Sequence, residues 1–127
     1  MSPIVSVIIP AYNRAGSILA AIESALAQTM TNIEVIVVDD GSDDETAEVV
    51  RSVRDERVRL IPQARNRGAA AARNAGIEAA QADFVALLDS DDTWRPEELE
   101  RQLAAFAARP EVTAAICGVH MRLLDHG

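Results

Sequence analysis

Hydrophobic residues in this chain follow two alternating rhythms. Short unbroken apolar runs give way to stretches in which apolar residues recur every third or fourth position, and then return. Unbroken runs read as strands buried on both faces, and the wider spacing reads as amphipathic helix. Ile4 to Ile9, β-branched and bounded by Pro3 and Pro10, is the first predicted strand, with Ala11-Tyr12-Asn13-Arg14 as the loop at its carboxyl end. A helix follows from Gly16 to Gln28, with Ile18, Ile22, Ala25 and Leu26 on one stripe. Ile33 to Val38 is the second strand and runs into Asp39-Asp40-Gly41-Ser42. Ser42 or Asp43 is suited to cap the next helix, which has Glu45 in its first turn, carries Ala47, Val50 and Val53, and ends near Arg54. Val58 to Ile61 is a short third strand stopped by Pro62.

Asn66-Arg67-Gly68 then turns into an alanine-rich helix, Ala69 to Ala80, whose small side chains allow close approach to a sheet. Asp83 to Leu88 is the fourth strand and ends in an acidic cluster. Pro96-Glu97-Glu98 suits the start of a helix whose buried stripe is Leu99, Leu103 and Phe106. Val112 to Val119 is the fifth predicted strand. Strict strand–helix alternation predicts one α/β domain over residues 1–127, a Rossmann-like, mainly parallel sheet of order 3-2-1-4 plus the fifth strand. In that order the Tyr12 loop, the Asp39–Asp40 loop and the Asp89–Asp92 loop meet at the switch point, where open α/β sheets bind ligands.

Composition narrows the chemistry. The chain is 49% hydrophobic but only 3% aromatic, so its core is built from Ala, Val, Ile and Leu. A formal charge of -8 argues against nucleic acid and against an anionic membrane surface as partners. Every basic residue is Arg and none is Lys, which excludes catalysis by a lysine or a P-loop. The single Cys117 sits in an apolar run and reads as a small core residue. With no leader-like or membrane-spanning run, the expected location is cytoplasmic.

Phe84 to Leu88 ends abruptly in Asp89-Ser90-Asp91-Asp92. On an extended segment Asp89 and Asp91 point the same way, and two like charges so close call for a cation between them. A hard divalent ion with oxygen ligands, holding a phosphorylated ligand, answers that need. The bland alternatives are a solvated turn here and a turn with a helix cap at Asp39–Asp44. Two acidic clusters at equivalent strand ends weigh against both. Asn66 to Gly76 lacks the spacing of a dinucleotide Gly-x-Gly-x-x-Gly fingerprint. Its helix start can still face an anion, with Arg67 or Arg73 as a phosphate partner, while its alanines serve packing. Trp94 is expected to pack on the following helix, and Tyr12 either lines a ligand or packs. His120 and His126 have no partner at metal-ligand spacing. Asp89 to Thr93 also fits the Asp-x-Asp-x-Thr signature of haloacid-dehalogenase-like phosphatases, but that family and the receiver domains both need a lysine.

Val5 to Arg14, Val37 to Asp44, Asn66 to Gly76 and Leu88 to Asp92, in this order over most of the chain, resemble family 2 glycosyltransferases of the GT-A fold. The resemblance implies inverting transfer of a sugar from a nucleotide-sugar donor, a UDP-sugar, to a glycan or lipid-linked acceptor. It implies that Asp40 contacts the base, that Pro10, Ala11 and Tyr12 border the nucleoside, and that Asp89 lies nearer the ribose. Asp91, with Asp89, would hold Mg²⁺ or Mn²⁺. Members of this kind continue into an acceptor-binding half with a carboxylate base, which nothing after Asp92 resembles. The expectation is therefore a donor-binding half, with a non-catalytic nucleotide-sugar-binding module as the alternative and a homodimer through an exposed sheet edge.

Overall fold

The computed structural model describes residues 2–108 and the backbone of residues 120–123. Four strands, β1 (Val5–Ala11), β2 (Ile33–Asp39), β3 (Val58–Pro62) and β4 (Phe84–Leu87), pair in parallel in the order β3-β2-β1-β4. Between and after them lie α1 (Ile18–Leu26), α2 (Thr46–Arg51), α3 (Ala69–Ala79) and α4 (Glu98–Ala108). The predicted order is the observed one, and each of these elements overlaps its predicted span. The strand expected over residues 112–119 lies outside the described residues. Beyond it, the backbone of β5 (His120–Leu123) runs antiparallel along β4.

Alternation within the strands sorts the core onto two faces. Val5, Val7 and Ile9 of β1 and Val35 and Val37 of β2 pack with Ile18, Ile22, Val50, Leu99 and Phe106, so α1, α2 and α4 share one face. Trp94 is buried in the same cluster, as expected of a packing residue. On the other face Ile8, Ile36, Val38 and Val85 meet α3 through Ala72 and Ala75. That helix is seated closely: a Cβ at Gly76 would stand 2.4 Å from Ile8 Cγ2. Alanine and glycine supply the room.

Two features correct the sequence reading. Neither Ser42 nor Asp43 caps α2, which starts at Thr46 with Glu45 at the cap position and no side-chain cap bond. Both are engaged by Asn13 instead: Asn13 N–H donates to Ser42 Oγ (2.9 Å) and Asp43 N–H donates to Asn13 Oδ1 (2.8 Å). The second is Glu34, a buried acid at the amino end of an otherwise apolar strand. It accepts from Ser6 Oγ (2.5 Å), Gln81 N–H (2.7 Å) and Arg59 Nη2 (3.0 Å), while Ser6 Oγ accepts from Ala82 N–H (3.1 Å). A buried charge is tolerable only when so fully partnered. The network ties the α3–β4 connection to β1 and β2 through residues near the amino ends of those strands.

Candidate functional site

The strand register sets where each loop leaves the sheet. Ala11 is paired with Asp39, and Leu88 N–H donates to Ile8 O at 3.0 Å, so β1, β2 and β4 release their chains side by side. After β2, Asp39 turns inward and its Oδ1 accepts from Ser42 N–H (3.1 Å), closing a tight turn. Gly41 makes that turn possible: its φ is +75°, and a Cβ there would lie 2.6 Å from the backbone of Arg65 and Asn66.

Asp40, next door, is 3% exposed. Its N–H donates to Ala11 O (2.8 Å), and its carboxylate accepts from Arg67 N–H and Gly68 N–H, each at 2.9 Å. These donors stand at the amino end of α3, where the helix dipole favours an anion. The protein's own carboxylate thus occupies the place that the sequence offered to a phosphate.

The three loops enclose a cavity of about 380 Å³. Pro10, Ala11, Tyr12, Asp40, Arg73, Asp89 and Asp91, the residues singled out from the sequence, all line it. Arg67 does not; its backbone serves Asp40. Arg14, Asn66, Gly68 and Ser90 line the cavity too and were not picked out as site residues. The signal for Arg14 was its place in the first loop, and for Asn66 its place before α3. Tyr12 is 40% exposed, leaving its ring open to the cavity rather than buried.

Asp89 and Asp91 are exposed at the mouth of a turn closed by Asp92 N–H on Asp89 O (3.1 Å). Among the described residues no group of three or more His, Cys, Asp or Glu is gathered to hold a metal. The donor set nevertheless fits Mg²⁺ or Mn²⁺ on one condition. Two hard carboxylates supply part of an oxygen shell, and phosphate oxygens and water supply the rest. Such a site is completed by its ligand.

The acidic loop is braced from α1. Ser17 Oγ donates to Ser90 O (2.9 Å), and Trp94 N–H donates to Ser24 Oγ (3.1 Å). Buried Gln28 spans the gap, its Nε2 donating to Arg95 O (2.7 Å) and its Oε1 accepting from Leu99 N–H (3.0 Å). Thr29 N–H adds a bond to Pro96 O (2.8 Å). Among the described residues, the indole N–H of Trp94 is the one buried side-chain polar atom without a partner.

Residues 6–122 match the sequence model of Glycosyl transferase family 2. The chain is similar to the succinoglycan biosynthesis protein ExoO of Rhizobium meliloti, with 54% identity over 80% of this chain and 29% of that protein. It is also similar to the Escherichia coli enzyme WfaP, a UDP-Glc:alpha-D-GlcNAc-diphosphoundecaprenol beta-1,3-glucosyltransferase. There the identity is 42% over 79% of this chain and 40% of the enzyme. Among solved structures, the UDP complex of S. aureus TarS superposes with a TM-score of 0.77 and 32% identity, over 84% of this chain and 33% of that one. A mannosyltransferase of Pyrobaculum calidifontis in complex with GDP-Man and Mn²⁺ gives a TM-score of 0.80 and 30% identity, over 92% of this chain and 36% of that one. The chain spans less than half the length of these relatives.

Proposed function

The chain belongs to glycosyl transferase family 2, and we propose that its cavity binds the nucleoside diphosphate of a sugar donor, a UDP-sugar. In this reading Asp40 and the Pro10–Tyr12 loop hold the base, Asp89 the ribose, and Arg73 the diphosphate. Asp91, with Asp89, holds Mg²⁺ or Mn²⁺. The observation that carries the reading is the meeting of carboxylates from two separate strand ends with Arg73 in one cavity of about 380 Å³. Binding of UDP by TarS supports the uridine half of the proposal, and the Mn²⁺ complex of the mannosyltransferase supports the cation.

The chemistry follows from charge. A departing nucleoside diphosphate accumulates negative charge in a protein that is itself negative. A divalent cation supplies Lewis-acid stabilisation of that leaving group. Arg73 contributes a fixed charge from α3, and Asp40 orients the base so that the sugar projects toward the mouth of the crevice. In inverting transfer the acceptor oxygen bonds to the anomeric carbon as the bond to the diphosphate breaks on the opposite face. The acceptor proton passes to a carboxylate base. Asp40, Asp89 and Asp91 are all committed to the donor, so the base and the glycan or lipid-linked acceptor are proposed to be held by other residues. No helix among the described residues is long and apolar enough to cross a membrane. A cytoplasmic location and a homodimer formed along a sheet edge belong to the same proposal.

Calorimetric titration of UDP with and without Mn²⁺ tests it. Tighter binding with the ion is expected. Equal affinity in both, or no binding in either, defeats the reading.

A further inference from the structure

Beyond Ala11 the first loop has left the sheet ladder, so something else must fix its height over the cavity. On one side Ser17 N–H and Ile18 N–H turn onto Arg14 O, at 3.0 Å and 2.9 Å. On the other, the loop is zipped to the segment before α2. Asn13 exchanges two bonds with Ser42 and Asp43, Arg14 N–H donates to Thr46 Oγ1 (2.9 Å), and Ala15 N–H donates to Asp44 Oδ2 (3.2 Å). The Thr46 hydroxyl, fully buried, donates a hydrogen bond to Asp44 Oδ1. That bond, foremost, holds the Asp44 carboxyl below its ordinary range. Asn13 sits at φ 53°, a left-handed conformation that asparagine adopts more readily than other non-glycine residues.

None of Asn13, Asp44 and Thr46 lines the cavity, yet Arg14, which Thr46 holds, and Tyr12, which directly precedes the fastened stretch, do. We infer that Asn13, Asp44 and Thr46 form a latch that positions Tyr12 over Asp40 and thereby sets affinity for the nucleoside part of the donor. The inference rests on the reading of the cavity as a nucleotide site. It goes further in separating nucleoside affinity from diphosphate affinity. The latch spans the walls formed after β1 and β2, whereas Asp89 and Asp91 follow β4 and Arg73 stands on α3. The acidic loop meets the latched loop through Ser17, whose N–H donates to Arg14 O and whose hydroxyl donates to Ser90 O. None of the three latch side chains takes part in that link.

Three variants test it. Thr46→Val keeps the shape but removes the acceptor for Arg14 N–H, and Thr46→Ser keeps the hydroxyl. Asn13→Gly suits φ 53°, removes the side-chain half of the latch and adds backbone freedom, which Thr46→Val does not. Titrations with UDP and with Mn²⁺-pyrophosphate are run beside thermal melts and amide exchange of residues 12–15. Thr46→Val and Asn13→Gly are expected to weaken UDP about tenfold while pyrophosphate stays within about twofold. Exchange at residues 12–15 should speed up, and Thr46→Ser should restore both readouts. Parallel loss of UDP and pyrophosphate would mean general damage and overturn the latch. So would unchanged UDP affinity in Thr46→Val and Asn13→Gly. Failure of the unaltered chain to bind UDP overturns the nucleotide reading itself, and the latch's role with it.

Discussion

Adding one methyl group to α3 measures how tightly that helix is seated on the sheet. The Cβ of a Gly76→Ala variant would lie 2.4 Å from Ile8 Cγ2, and 3.3 Å from Ile8 Cδ1 and from Val38 Cγ2. Carbon atoms pack at about 3.5–4.0 Å, so the overlap with Ile8 exceeds about 1 Å. Ile8 is fully buried and β-branched, with little freedom to rotate clear. The helix must lift. Overpacking of this kind costs about 1–3 kcal/mol, and the better helix propensity of alanine returns about 1 kcal/mol. The net loss is about 0–2 kcal/mol, or up to roughly 10 °C in Tm for a domain of this size. Lifting α3 also draws the Arg67 and Gly68 N–H groups away from Asp40 and carries Arg73 with it, so UDP affinity should fall about tenfold. Gly16→Ala is the control, because its Cβ meets nothing within 4 Å. Thermal melts and UDP titrations of both variants decide the matter. A Gly76→Ala protein with unchanged or raised Tm and intact UDP binding would show that α3 has slack, and the seating described above would be wrong.

Other outcomes follow from the same contacts. Asp40→Ala should lose UDP affinity by roughly tenfold or more while changing Mn²⁺-pyrophosphate affinity much less, whereas Asp91→Ala should abolish the gain that Mn²⁺ gives to both ligands; titrating the four combinations checks the division. The Asp55 carboxyl is held below its ordinary value of 3.8, chiefly by the side-chain bond from Arg57 at 3.0 Å. Its stabilising contribution is therefore full above that value and is lost as pH falls through the lowered one, so the stability gap between the unaltered chain and Asp55→Asn should close in acid urea titrations. Purified alone, the chain is expected to show no multiple-turnover sugar transfer across a panel of acceptors, and sedimentation should detect self-association. Sustained turnover would reveal a base among its own residues.

Much of this architecture was legible because burial on both faces leaves few options. Val35 to Val38 has no polar residue to show to solvent, so it reads as a central strand, and right-handed crossovers then limit the sheet order. The lining of the candidate site was legible through the same logic, since Tyr12, Asp40 and Asp89 fall at the carboxyl ends of strands that neighbour one another in the sheet. What stayed hidden depends on partners far along the chain. Asp39 and Asp40 are chemically identical neighbours; one closes a turn and the other reaches 27 and 28 residues onward to α3. Ser42 has the chemistry of a cap, but Asn13 claims it first. Glu34 and Gln28 read locally as an intruder in a strand and a polar helix end, and only folding reveals what each satisfies.

The bracing of the acidic loop by α1 bears on the entropy of association. Loops that carry function usually fluctuate, and a ligand must then freeze them, losing affinity for each rotor it stills. Here Ser17, Ser24, Gln28 and Thr29 fasten residues 90–99 to a helix whose inner face belongs to the core. The ordering of that stretch is completed when the domain folds. An arriving ligand has only side-chain rotamers and water left to settle, and discrimination between ligands then rests on fit rather than on how readily the loop can adapt.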